Sequence, residues 1–311
     1  VSARAFGLIG HAQVLNAVRG FGGHALLLTG PARVGKRPLA RVLAALVNCE
    51  QGRAAGPCGA CRSCLGVLHD AHPDVLELEP KTTTATGKTA RRRLIPVSAI
   101  TEKRDDGREY ERHVLEWLET SPTYTRKVVI VDGAQFLNEE SANALLKVVE
   151  EPPHNALFVF LAEEVAAVLP TIASRASRLR VGAVDDAHLA AALRTLGEDD
   201  AELLAFAAGR PGVIVERERA RAALADARAL VDALGEGMLS ALEAAEGLEK
   251  RFDPAWHPEA LRFVLRAEGA AARAAADAAL ERALGALEQY VSPSLTFQLL
   301  ALDLRSALGA A

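Results

Sequence analysis

Apolar positions in this 311-residue chain change their rhythm part-way along. In the first half, short unbroken apolar runs alternate with segments of helical period. Ala25–Thr29, Val75–Leu78, Lys127–Val131 (closed by Asp132) and Ala156–Leu161 have the length and content of buried strands. Between the first two lies a helix-period segment from about Lys36 to Val47, with Pro38 tolerated in its first turn. Strands alternating with helices predict a mostly parallel sheet covered on both faces, with a ligand site at the carboxyl ends of its strands. After about Val181 the strand pattern stops. Residues 183–215 read as a small helical segment broken near Gly209–Gly212, and from Glu216 onward Ala, Leu, Arg and Glu recur at helical spacing. Leu280, Leu284, Leu287 and Val291 share one helix face, as do Leu295, Leu299 and Leu302. Both stripes read as bundle core, although helices this rich in Ala can also pack against other subunits. Ser292-Pro293-Ser294 reads as the turn and N-cap between the last two helices.

Composition narrows the possibilities. Half of the residues are apolar, enough for a substantial core, and the net charge is −4 with a pI near 6.1. No global positive field is available, so any nucleic-acid contact must be local and shared with partners. No apolar run approaches a membrane span and no signal-peptide pattern opens the chain, so a cytoplasmic protein is expected. Residues 80–110, with Thr82–Thr84, Arg91–Arg93 and Asp105-Asp106-Gly107, form a polar excursion. Its arginine triplet reads as a solvated loop rather than a DNA contact.

Two motifs carry chemistry. Gly30-Pro31-Ala32-Arg33-Val34-Gly35-Lys36-Arg37 follows a strand and opens a helix, as a phosphate-binding loop must. It departs from G-x-x-x-x-G-K-[S/T] in its last position, where Arg37 replaces the hydroxyl that ligates Mg²⁺. The cradle of backbone N–H groups and Lys36 survives while a metal ligand is lost. The second motif is Cys49, Cys58, Cys61 and Cys64, spaced C-x₈-C-x₂-C-x₂-C. Four thiolates suit tetrahedral Zn²⁺, and a closed Cys₄ shell leaves no place for a reactive water, so the metal would be structural. A redox or disulfide cluster is the competing reading. His69 and His72 are not needed as ligands and read as ordinary surface or loop histidines.

Together with the stretch Lys127–Pro153, KVVIVDGAQFLNEESANALLKVVEEPP, these motifs resemble the bacterial replicative clamp-loader subunits of the AAA+ superfamily. In that family N-A-L-L-K-x-x-E-E-P-P follows a strand ending in Asp. Thr171-Ile172-Ala173-Ser174-Arg175-Ala176 matches the family's T-I-x-S-R-C, with Ala176 in place of Cys. The resemblance implies an α/β AAA+ core at residues 1–180, a RecA-like parallel sheet with its phosphate loop and a zinc module at 49–64. It further implies a helical lid at 181–215 and an all-α collar for oligomerisation at 216–311.

Within the family the chain resembles the delta prime stator more than the gamma/tau motors, which remain the alternative. A motor would carry Asp-Glu at the strand end, whereas Gly133 follows Asp132 here. Glu163 stands where many motors offer a Thr or Asn to the γ-phosphate, and Gly212 stands where the lid arginine belongs. Gly30, Gly35, Lys36, Arg37 and Asp132 then form a degenerate nucleotide site at which productive ATP or ADP binding is not expected. Lys36 and the loop amides could still hold nucleotide, or the cation of Arg37 could fill the phosphate site or pair with Asp132. The resemblance assigns Arg175, with Ser174, the role of an arginine finger on a neighbour's ATP. It implies gamma/tau and delta subunits as partners, weak or indirect contact with the sliding clamp, and primed DNA within the complex. A stand-alone zinc-containing DNA-binding module is the non-enzymatic alternative, opposed by the acidic balance.

Overall fold

The computed structural model describes residues 6–80, 93–102, 112–289 and 291–309. Thr82–Thr84, Arg91, Arg92 and Asp105-Asp106-Gly107 of the polar excursion lie outside them. Arg93 lies inside, with its guanidinium 5.8 Å from the centre of the Phe136 ring.

Apolar runs become strands where the sequence places them: β1 (Ala25–Thr29), β2 (Val75–Leu78), β3 (Val128–Asp132) and β4 (Leu157–Ala162). A fifth, β5 (Ser177–Arg180), has no apolar run to announce it. Its residues Ser-Arg-Leu-Arg are mostly exposed, and it is held at the sheet edge by backbone pairing with β1. All pairings are parallel, in the order β2-β3-β4-β1-β5.

Because side chains alternate along a strand, each run serves both faces. Leu26, Leu28, Val128, Ile130, Val159 and Leu161 meet Val18 of α1 (Ala12–Gly20) and Leu39, Leu43 and Leu46 of α2 (Lys36–Asn48). On the other face, Leu27, Val129, Val131, Phe158 and Phe160 meet α4 (Val114–Glu119), α5 (Glu139–Glu150) and α6 (Pro170–Ala173). The short α3 (Arg62–Leu68) packs beside α2, with Cys64 and Val67 against Val42 and Ala45. Asn48, at the end of α2, is buried yet satisfied. Its Oδ1 accepts the N–H groups of Thr125 and Arg126 at 3.0 and 2.9 Å, pinning the entry to β3.

Helices follow to the C-terminus: α7 (Asp186–Thr195), α8 (Ala201–Ala207), α9 (Pro211–Val215), α10 (Arg217–Glu236), α11 (Met238–Arg251), α12 (His257–Val264), α13 (Ala270–Glu288) and α14 (Pro293–Ala307). The chain forms two compact units. Val1–Asp199 with Ala208–Gly212 makes the first, and Asp200–Ala207 with Val213–Ala311 the second. Residues 181–215 therefore contribute to both.

The helical unit is built on small residues. Ala220, Ala223 and Ala227 of α10, Ala241 and Ala245 of α11, and Ala276, Ala279 and Ala283 of α13 are buried, which lets the helix axes approach closely. Trp256 and Phe206 are buried in the same unit, their ring centres 6.4 Å apart.

Both expected core stripes are corrected in part, the first at Val291, which is 37% exposed. Leu295 and Leu299 are 49% and 50% exposed, while Phe297, Leu300, Ala301 and Leu304 are buried. Both faces of α14 are apolar, so periodicity could not choose between them. Phe297, edge-on to Phe252 at 4.9 Å, decided the choice. Ser292 does hold the N-cap position of α14 with Pro293 following, but its hydroxyl makes no cap bond. Among the described residues, no helix is long and apolar enough to cross a membrane.

Candidate nucleotide loop, metal centre and interface arginine

The loop Gly30–Arg37 leaves the carboxyl end of β1 and enters α2, where parallel sheets present ligands. Its backbone is tightly held. The Gly30 N–H donates to Glu163 O at 3.0 Å, and a Cβ on Gly30 would lie 2.1 Å from Val181 O, so no side chain fits. His11 Nε2 donates to Val34 O at 2.6 Å. The Gly212 N–H donates to Arg33 O at 2.8 Å, and a Cβ on Gly212 would meet Arg33 Cβ at 2.8 Å. The position at which the resemblance wants a lid arginine is thus closed against the loop's own backbone.

The two cations of the motif are engaged. Lys36 Nζ donates to Gly30 O and Pro31 O, both at 2.7 Å. Burial lowers its pKa, opposed by the charges of Glu163 and Asp132. Arg37 turns toward the end of β2. Its Nε donates to Glu77 Oε2 at 2.9 Å, Nη2 lies 2.7 Å from the same oxygen, and Nη1 pairs with Glu79. Glu77 also accepts from Arg41 Nε at 2.6 Å, and Arg41 pairs in turn with Asp70. Burial works against the Arg37 charge, but Glu77, Glu79 and Asp132 outweigh it and raise its pKa.

The expectation that Arg37 would fill the phosphate site or pair with Asp132 is corrected. Its direct partners are Glu77 and Glu79, and Asp132 acts on it through space. The reason is reach: Arg37, in the first turn of α2, meets the acidic end of β2 directly. Burial raises the pKa of Asp132, with Glu79 and Glu77 adding to the effect and Arg37 and Lys36 opposing it. With Gly133 after it and Glu163 at the end of β4, the loop is ringed by carboxylates and has neither a hydroxyl for Mg²⁺ at position 37 nor an acid at 133.

All four cysteines are free thiols, and their sulfurs lie within 4.8 Å of one another. Zn–S bonds of about 2.3 Å would place tetrahedral sulfurs about 3.8 Å apart. Cys58 Sγ and Cys64 Sγ are separated by 3.9 Å. Backbone N–H groups aim at the sulfurs: those of Ala60 and Cys61 at Cys58 Sγ (3.5 and 3.3 Å), and that of Cys64 at Cys61 Sγ (3.4 Å). The Ala60 and Cys61 donors bring the Cys58 thiol down to about 6, whereas burial pushes Cys64 up. The donor set and spacing fit one metal ion, which would cross-link the loop after α2 to α3.

His69 is exposed, as expected, but His72 is not a surface residue. It is 4% exposed, its Nδ1 accepts the Asp74 N–H at 3.0 Å, and Nε2 therefore donates to Ser63 Oγ at 3.0 Å. Burial lowers its pKa. It buttresses the turn beside the cysteines, against the ring of Tyr124 at 4.9 Å.

Ser174 and Arg175 follow α6 directly. Arg175 Nη1 donates to Thr171 O at 2.9 Å, while Nε and Nη2 both reach Glu150 Oε1 at the end of α5. Ser174 Oγ donates to Thr171 O at 3.3 Å. Ala176, standing where the resembled motif has Cys, is buried against the α5–α6 face of the sheet.

The family described as "DNA polymerase III, delta subunit" matches residues 17–185, more than half of the chain. The chain belongs to this family. The match bears out the clamp-loader resemblance carried by residues 30–37, 49–64 and 127–153. Among curated members of the wider group, the DNA polymerase III subunit gamma/tau of Mycobacterium tuberculosis is 37% identical over 155 residues, covering 49% of this chain and 23% of that protein. Subunit delta' of Pseudomonas aeruginosa is 36% identical over 152 residues, covering 49% and 41%. The chain therefore spans less than half the length of the curated relatives it matches. A gamma subunit-related protein from Thermotoga maritima shares the fold, with a TM-score of 0.51 at 18% identity, over 95% of this chain and 98% of that one.

For this DNA polymerase III delta subunit family member, three acids escaped the sequence reading: Glu77 and Glu79, which hold Arg37, and Glu150, which holds Arg175. Their partners lie far away in sequence, so no local spacing could signal them. Glu150 does stand inside the E-E-P-P motif, which was the available hint.

Proposed function

We propose that the chain is a delta prime-type stator of the bacterial DNA polymerase III clamp loader, helping to load the sliding clamp onto primed DNA. It does not hydrolyse ATP itself. It offers Arg175, steadied by Ser174, to ATP held by an adjacent gamma/tau subunit. A guanidinium suits this role because it is permanently charged and bonds two phosphate oxygens at once.

The observation that carries the reading is the closed loop: Gly212 bonds to Arg33, and Lys36 and Arg37 are spent on protein acceptors. Gly30, Gly35, Lys36, Arg37 and Asp132 then retain the shape of a nucleotide site without its working parts. The four cysteines hold structural Zn²⁺. Residues 1–180 act as the ATPase-like core, 181–215 as a lid and 216–311 as the collar that meets the gamma/tau and delta subunits. Contact with the clamp is weak or indirect, DNA is met within the assembled complex, and the protein works in the cytoplasm.

A gamma/tau-like motor is the second reading, favoured by the 37% identity to a gamma/tau subunit. The deciding experiment measures ATP hydrolysis by the isolated chain and by a reconstituted complex carrying Arg175→Ala. No hydrolysis is expected from the chain alone. At the adjacent motor site, removing a trans arginine should slow hydrolysis by on the order of 10³ or more. Unchanged ATPase and clamp loading in Arg175→Ala would sink the finger role. Hydrolysis by the isolated chain, abolished by Lys36→Ala, would support the motor instead.

A further inference from the structure

We propose that Glu150 is a positioning residue for Arg175, gripping one edge of the guanidinium so that the opposite edge faces a neighbour's phosphate. This rests on the finger reading above. The geometry begins with two helices locked together. Leu145 and Val149 of α5 and Ile172 of α6 are fully buried in one core, which fixes the end of α5 relative to the residues after α6. α5 stops at Glu150 because Glu151 leaves helical geometry and Pro152 follows, so the Glu150 carboxylate projects from the helix end. Arg175 is anchored from the other side, its backbone N–H donating to Ile172 O at 3.1 Å.

The distribution of hydrogen bonds over the guanidinium matters more than their number. Nε and Nη2, the edge nearest the stem, both reach Glu150 Oε1. Nη1 donates on its other side to Thr171 O at 2.9 Å. Nη1 also makes a long contact with Ser174 Oγ at 3.4 Å, which a phosphate oxygen would replace, and with the remaining N–H of Nη2 it forms the distal edge, the pair that grips two oxygens of a phosphate. Arg175 is 36% exposed, so this edge is open to an incoming ligand. Without Glu150 the long side chain would sample rotamers that carry the fork elsewhere, and each excursion would subtract from the competent population.

Glu150 itself is 49% exposed, so the pair is screened and its grip is modest. Exposed ion pairs bias an equilibrium by about two- to fivefold, and that is the expected size of the effect. The test uses the reconstituted clamp-loader complex with Glu150→Ala, Glu150→Gln, Arg175→Ala and the double variant Glu150→Ala/Arg175→Ala. Glu150→Ala should lower kcat for ATP about two- to fivefold and leave KM unchanged. Glu150→Gln keeps an acceptor oxygen in place and should recover much of the loss. In the Arg175→Ala background, Glu150→Ala should change nothing further, because the residue acts through the arginine. An equal loss in both backgrounds, or no loss from Glu150→Ala where Arg175→Ala is impaired, would overturn the positioning role. If Arg175→Ala is itself silent, the finger reading fails first and this inference falls with it.

Discussion

Adding one methyl group at Gly212 tests how the degenerate phosphate loop is closed. Gly212 is the second residue of α9, and in open space a Gly→Ala change in a helix stabilises by about 0.5–1 kcal/mol. Here the new Cβ would lie 2.8 Å from Arg33 Cβ and 2.9 Å from Arg33 O, and the neighbouring atoms belong to the loop backbone and its first side-chain carbon. Neither can swing away as a flexible side-chain tip would. Overpacking of this kind costs about 1–3 kcal/mol. The shift also stretches the 2.8 Å bond from Gly212 N–H to Arg33 O, an interaction worth about 1 kcal/mol. After the helix-propensity gain is subtracted, Gly212→Ala should destabilise the protein by about 1–3 kcal/mol. Urea unfolding followed by circular dichroism measures it. Gly285→Ala is the control: it sits inside α13 with no atom within 4 Å of the new carbon, and should stabilise instead. If Gly212→Ala also stabilises, at an unchanged urea slope, the loop is not closed by this contact and the main support for a blocked nucleotide site is gone.

Two further outcomes follow from other parts of the chain. The purified protein should contain about one equivalent of zinc, and Cys64→Ser should bring it well below that; metal analysis giving no zinc in the parent protein refutes the metal centre. Asp226 accepts from Arg251 Nη2 at 2.8 Å and faces His257 Nε2 at 3.3 Å. Burial would raise its pKa, but these partners outweigh burial and hold it below the ordinary 3.8. A depressed carboxyl stabilises the fold above its unfolded pKa, and the contribution is lost as pH falls through the folded value. Asp226→Asn should therefore be less stable than the parent at pH 7, with the gap closing in strong acid; the same gap in urea titrations at both ends would contradict this.

Strands were legible wherever apolar residues run unbroken, because a doubly covered parallel strand has no polar face to interrupt it. β5 was not, since Ser-Arg-Leu-Arg is an exposed edge whose strand character comes from the backbone of β1. The cysteine cluster was legible because its four residues lie close together along the chain, from the end of α2 into α3, so spacing alone constrains geometry. Arg37 was only half legible. Its identity showed that a metal ligand was missing, but its partners Glu77 and Glu79 arrive from a strand forty residues on. His72 is a loop histidine, yet its burial was not legible because nothing local marks it; Ser63, Asp74 and Tyr124 enclose it only once α3 and the loop before β3 are in place.

The sequence by itself determined the family, the parallel sheet, the loop with its missing hydroxyl and the cluster of four cysteines. Each of these is written in residues close together along the chain, where identity and spacing carry the physics. Tertiary structure alone decided which way the charged side chains turn and which apolar face is covered. Arg37 is drawn to Glu77 and Glu79, Arg175 to Glu150, Gly212 onto Arg33, and α14 buries Phe297 rather than Leu299. Those choices depend on competition among distant groups for the same charge, space or donor. Coulomb attraction, close packing and hydrogen-bond satisfaction act on separation in space, not on separation along the chain.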